Sequence, residues 1–280
     1  MTRARRLISC LFMFVILVIP AQPAWSEDSL EYKEGSDADL AQDLSNPLAD
    51  LMTIPIQMNY DQDIGPKDDG WKLQTNIQPV LPFDLGADWN LITRTILPVI
   101  YQEDLFPGAG SQFGLGDVNL SLFLSPKNPA SRGLTWGLGP VLLLPTATDD
   151  LLGSEKWSAG PTAVALVTPG AWTMGTLANH VWSFAGDSDR QDVSNTFIQP
   201  FVSHTWPSAW TASFQSETSY NWETEKWSVP VNAALSKLVM WGKIPVSLQA
   251  GVGYWLESPD AGPEGFRFRL QVNFVLPKPF

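Results

Sequence analysis

The chain has 280 residues, 17 Lys and Arg against 29 Asp and Glu for a net charge of −12, 13 tryptophans and one cysteine. Its mean hydropathy is −0.03, and past residue 26 no run of about eighteen apolar residues occurs, which excludes helical membrane spans. The acidic balance argues against nucleic-acid binding, which needs a basic face.

Arg3, Arg5 and Arg6 precede an apolar run over 7–19 that Pro20 ends, and Ala24-Trp25-Ser26 puts small residues ahead of Glu27. This is the layout of a cleaved signal peptide over 1–26, with cleavage near Ser26, because about thirteen apolar residues are too few to span a bilayer as a helix. Cys10 lies ahead of the apolar run rather than behind it. No lipid attachment is therefore expected, and the exported chain has no thiol for a disulfide or a metal site. Residues 27–50 are polar and acidic. Within them Asp37 to Leu44 reads as a short helix stopped by Asn46-Pro47, so the segment is either a periplasmic tail or a small plug inside a barrel.

Over 51–280 the apolar residues take a period of two. Strands are expected near 51–59, 70–81, 88–101, 115–124, 133–145, 157–168, 171–183, 195–205, 209–221, 226–239, 243–256 and 264–276. That is about twelve, an even number, as single-chain bacterial barrels require. The fold class expected is all-β, an antiparallel transmembrane β-barrel. Its connections alternate between long acidic ones, taken as outer loops, and tight ones, taken as periplasmic turns. Both termini then fall on the periplasmic side.

Alternation also predicts facing. Phe266, Phe268, Leu270, Val272, Phe274 and Leu276 oppose Arg267, Arg269, Gln271 and Asn273; Trp71, Leu73, Thr75 and Ile77 oppose Lys72, Gln74, Asn76 and Gln78. Val118, Leu120, Leu122 and Leu124 oppose Asp117, Asn119 and Ser121, and Leu248 opposes Gln249. A charge on the lipid face near mid-bilayer costs about 2–4 kcal/mol, so the polar sets belong to the lumen, together with Arg94 and Glu217. Trp71, Trp157, Trp222, Trp227 and Trp255 fall at outer strand ends and Trp89, Trp172, Trp206, Trp210 and Trp241 at periplasmic ends, as two aromatic girdles. Pro55, Pro79, Pro98, Pro140, Pro161, Pro200, Pro230 and Pro245 fall inside these strands. Each removes a ladder hydrogen bond, so they mark bulges or misplaced boundaries.

A family resemblance rests on several segments. These are Gly116-Asp117-Val118 through Ser125-Pro126, Gly139-Pro140-Val141 with Leu144-Pro145-Thr146-Ala147-Thr148, Lys156-Trp157-Ser158-Ala159-Gly160-Pro161, Trp182-Ser183-Phe184-Ala185-Gly186-Asp187, Gln199-Pro200-Phe201 and Lys226-Trp227-Ser228-Val229-Pro230. The exported chain resembles the outer-membrane proteins grouped under the MetA pathway of phenol degradation. That resemblance implies a Gram-negative outer-membrane barrel with a link to uptake of aromatic compounds in some members.

Three functions are compatible with these residues. The first is a channel or facilitator for small molecules, including aromatic or otherwise hydrophobic ones; about twelve strands lie between side-chain-filled barrels and open porins. The second is a lipid-modifying hydrolase at the outer rim, for which His180, with Ser183 nearby, is the base to consider, since His204 falls near the periplasmic end. The third is a closed structural barrel whose acidic loops, with Asp61, Asp63, Asp68, Asp69, Asp149, Asp150, Asp187 and Asp189, bind divalent cations bridging lipopolysaccharide. None of these loops has the spacing of a dedicated calcium site. No catalytic residue, metal or cofactor is expected. The partners expected are membrane lipid and lipopolysaccharide, a small solute, and the barrel-assembly machinery through a last strand ending in Phe280.

Overall fold

The computed structural model describes residues 36–130 and 133–277. The signal peptide over 1–26, residues 27–35 and the terminal Phe280 lie outside the described residues.

The described chain opens with a helix, α1 (Asp37–Asp43), set by a capping box. The Ser36 hydroxyl accepts from the Asp39 N–H at 3.2 Å, and the Asp39 carboxylate accepts from the Ser36 N–H at 2.9 Å. Fifteen strands follow: β1 (Met52–Ile64), β2 (Gly70–Ile77), β3 (Val80–Leu85), β4 (Trp89–Glu103), β5 (Ser111–Leu115), β6 (Val118–Pro126), β7 (Leu134–Leu144), β8 (Lys156–Val167), β9 (Trp172–Gly186), β10 (Ser194–Thr205), β11 (Trp210–Ser216), β12 (Thr218–Asn221), β13 (Lys226–Trp241), β14 (Ile244–Glu257) and β15 (Phe266–Leu276). Three pairs, β2/β3, β5/β6 and β11/β12, are single staves interrupted in the middle, so the wall is a closed antiparallel ring of 12 staves. β1 pairs with β2 on one side and with β15 on the other, which closes the ring.

The twelve expected strands are all found, with shifted ends. β1 continues to Ile64 and β9 to Gly186, so the first and fourth outer loops are shorter than the sequence suggests. The strand prolines do not displace boundaries. Pro79 lies in the β2/β3 gap, where its carbonyl still accepts from Thr95 N–H at 3.1 Å. The Pro98 carbonyl accepts from Gly116 N–H at 2.9 Å at the β5/β6 gap. Pro230 sits at a bulge, and its carbonyl takes the Glu217 N–H at 3.2 Å across the β11/β12 gap. Pro140 and Pro161 face one another across β7 and β8. Close strand contact demands glycine at Gly160, where a Cβ would run into the His180 carbonyl.

Burial is inverted relative to a water-soluble sandwich. Phe268 is 52% exposed and Leu270 50%, whereas Arg267 and Arg269 between and beside them are 7% and 3% exposed. Leu138, Phe214, Leu235 and Leu248 are exposed in the same way, so the outside of the ring is a band of apolar side chains, as a bilayer requires.

Aromatic side chains border that band. At the end carrying the long loops, Trp71 lies between Tyr60 and Tyr101, with centroids 5.8 and 5.1 Å away, and Tyr220 contacts both Trp222 and Trp227. Trp157, Trp222 and Trp227 are exposed, and so is Trp182, which the sequence reading did not place in the girdle. At the opposite end Trp89 meets Trp136 edge-on at 6.0 Å, and His204 lies between Trp172 and Trp206, tilted to the first and edge-on to the second. Trp210 and Trp241 are exposed there too. Trp255 departs from the expectation. It shares the inward parity of Gln249 and Gly253, and its indole N–H donates to Asp61 at 2.8 Å inside the ring. An indole beside a buried carboxylate gains a hydrogen bond that lipid cannot offer.

Two apolar clusters fill the interior near the tight turns. Leu48 packs with Ile92, Phe123, Val164, Leu166 and Leu177; Leu40 and Ala41 of α1 pack with Ala209, Leu238 and Val275. The segment ahead of β1 is therefore inside the barrel at its turn end. Gln42 ties it there, donating to the Gly170 carbonyl at 2.7 Å.

Candidate functional site

Period two sends the amides and hydroxyls of most staves inward, where they enclose a cavity of about 540 Å³. Of the residues expected in the lumen, Gln74, Asn76, Gln78, Arg94, Asn119, Glu217, Gln249, Arg267, Gln271 and Asn273 stand on its wall. The amides are chained along and between strands. Gln74 donates to Asn76 at 2.9 Å, and Gln199 to Gln215 and Gln215 to Glu217 at 3.1 Å each.

Glu217 is the centre of an interior charge network. It occupies the one-residue gap between β11 and β12 and accepts from Arg269 Nη2 at 2.8 and 2.9 Å and from Arg267 Nη1 at 3.4 Å. Arg269 Nε also donates to Asn59 at 2.7 Å. Arg267 Nη2 donates to Asp61 at 3.3 Å and its guanidinium lies 5.0 Å from the Trp255 ring centroid. Lys72 faces the same group from β2, in register with Asp61. Buried charges need partners of this kind, because an unpaired ion in a dry interior is costly. Arg94 stands on the wall near enough to Glu217 to feel its charge, and its side chain donates to Gln78 at 2.8 Å.

Asp117 does not join this network. Lying in the β5/β6 gap, it accepts from Ala147 N–H at 3.2 Å and from the Ser154 N–H and hydroxyl at 2.7 Å each, and so clamps the loop 145–155. Arg190 holds the same loop through the Asp150 and Gly153 carbonyls at 2.7 and 2.6 Å. A Cβ on Gly114 would meet Thr148 and Leu152, and the inward Gln102 donates to the Leu151 carbonyl at 3.2 Å. The loop thus lies against the inner face of β4 and β5 and narrows the outer mouth.

Site residues that the sequence did not assign to the lumen include Asn59, Asp61, Gln199 and Gln215, and Leu48 below them at the plug. Asp61 reads as a loop acid, yet β1 carries it inward beside Arg267; the run Gln57, Asn59, Asp61 at period two is the signal. Leu48 gives no such signal, since the short stretch 44–51 has no periodicity.

At the outer rim Lys156, 6% exposed, donates to Asp192 at 2.9 Å. That hydrogen bond, with one from Ser183, holds the Asp192 carboxyl below its ordinary value. Ser183 is thereby turned to Asp192 rather than to His180. His180 lies on the apolar outside, opposite in parity to the wall residue Asn179, with Nδ1 2.8 Å from the Thr196 hydroxyl and the tilted Trp182 ring centred 5.3 Å away. At the inner end, burial and the neighbouring Asp39 raise the Asp43 carboxyl above its ordinary value. Among the described residues no three His, Cys, Asp or Glu side chains come together as a metal site, so the acidic loops build no such cluster there.

An apolar outside, two aromatic belts and a polar, charged inside define the chain as a transmembrane β-barrel. No protein-family model and no curated protein sequence matches it. Among solved structures it is similar to the COG4313 outer membrane channel from Pseudomonas putida F1, at 16% identity and a TM-score of 0.63 over 81% of this chain and 96% of that one. It is also similar to the outer membrane phospholipase A of Escherichia coli (13% identity, TM-score 0.44, 81% of this chain and 97% of that one). The KdgM porin is similar at 10% identity and a TM-score of 0.44, over 80% and 99% of the two chains.

Proposed function

We propose that the protein is a channel or facilitator for small molecules in the outer membrane of a Gram-negative bacterium, closed at its periplasmic end by residues 36–50. The observation that carries this reading is the cavity of about 540 Å³ walled by amides, hydroxyls and arginines inside a ring whose outside is apolar. A barrel serving only as an anchor has no need to keep so many polar groups inside, each of which costs free energy unless hydrogen-bonded. The fold shared with the COG4313 outer membrane channel supports a transport role. The wall supports hydrophilic solutes over the aromatic or otherwise hydrophobic ones that the resemblance to the phenol-degradation family implies.

The hydrolase reading has less support. Its base, His180, lies beside Thr196 and Trp182 in the outer aromatic belt, and the serine considered with it bonds elsewhere. The deciding experiment is liposome swelling with the refolded exported chain, using sugars, sugar acids and phenols in parallel, alongside phospholipid hydrolysis. Solute-dependent swelling is expected. Absence of swelling for every solute, with phospholipid cleavage that His180→Ala abolishes, would reverse the assignment.

A further inference from the structure

We propose that the cavity is a binding site for small hydroxylated carboxylates of the sugar-acid class, with the carboxylate on Arg94 and the hydroxyls on the surrounding amides. The inference deepens the channel reading, on which it depends only for the route by which solute arrives.

The charge arrangement points to an anion. Asp61 and Glu217 are both committed to Arg267 and Arg269. Arg94 stands on the cavity wall, where among the described residues its side chain donates to the Gln78 amide oxygen at 2.8 Å; Glu217, the carboxylate near enough to act on its charge, accepts its hydrogen bonds from Arg267, Arg269 and Gln215. A guanidinium offers five N–H donors in a planar fork that matches a carboxylate in two-point fashion, so Arg94 retains the geometry to take one. The wall carboxylate that pairs with no arginine, Asp43, lies at the plug end, which favours a bound acid with its carboxylate turned toward Arg94.

The neutral groups point to hydroxyls. The cavity wall carries the side-chain amides of Gln74, Asn76, Asn119, Gln249 and Gln271. Amides both donate and accept, as a sugar hydroxyl does, whereas an aromatic ring offers them no such partner. The volume falls within the roughly 300–1,000 Å³ that small-molecule sites enclose.

The test is calorimetric titration of the refolded exported chain with D-galacturonate and with D-galactose, repeated on Arg94→Gln and Arg94→Lys, with liposome swelling on the same preparations. Galacturonate is expected to bind at least tenfold more tightly than galactose. Arg94→Gln should weaken galacturonate tenfold or more and leave galactose unchanged, with Arg94→Lys in between. Wild-type protein that binds the two sugars equally, or binds galacturonate no better than Arg94→Gln does, overturns the proposal; the wild-type comparison holds even if a variant fails to fold. Binding without swelling removes the channel reading and keeps the site. Swelling at equal rates with both solutes and no calorimetric preference keeps the channel and removes the site.

Discussion

Glu217 is one carboxylate answering two guanidinium groups, and its place in a strand gap lets it reach both. Removing its charge leaves Arg269 buried without its counter-ion, its hydrogen-bond partners among the described residues then being neutral amides. Breaking such a buried pair costs about 3–5 kcal/mol. Glu217→Gln is therefore expected to lower the urea midpoint of the folded barrel by a corresponding amount and to shift the reversal potential in a salt gradient toward anions. Asp43 poses the opposite case. Its carboxyl is raised in the folded chain, so docking of α1 is favoured below the ordinary carboxylate value and loses that advantage as pH rises through the raised one. Protease cleavage within residues 36–50 should become easier between acid and neutral pH, and Asp43→Asn should flatten that dependence.

At the scale of elements, two segments restrict the lumen, α1 with residues 44–51 from the turn end and the loop 145–155 from the outer mouth. Asp117→Ala removes three hydrogen bonds from that loop and should raise single-channel conductance while the barrel stays folded. Leu48→Ala, deleting a contact with Ile92 and Phe123, should loosen the plug by about 2–5 kcal/mol and raise the fraction of open time. The strands were legible because one face meets lipid and the other meets polar groups, which forces period two on the residues of β2, β6, β14 and β15. Elements held by single contacts were not legible. Asp117 has the parity of a lumen residue but serves a loop, and Trp255 has the look of a girdle residue but the parity of the interior. The segment over 44–51 is too short to show which apolar neighbours it meets.

For the molecule as a whole, the inverted burial makes the two faces of one strand respond oppositely to the same change. Leu270→Arg puts a charge on the apolar outside and is expected to cost about 2–4 kcal/mol, read by equilibrium unfolding in vesicles. Gln271→Arg, one residue on and facing the cavity, should cost far less. The pairing of β1 with β15 has a consequence of a different kind. These strands lie at opposite ends of the chain, so their contact carries the largest loop-closure entropy of any in the ring and is expected to form last. Residues 36–51 run straight into β1 at that same junction, and a stopper threaded beside an unclosed wall becomes enclosed when the wall shuts. Time-resolved crosslinking during refolding, with one cysteine pair joining α1 to β13 and another joining β1 to β15, should show the first pair trapped before the second. Construction order, and not only equilibrium packing, would then decide that the stopper ends up inside.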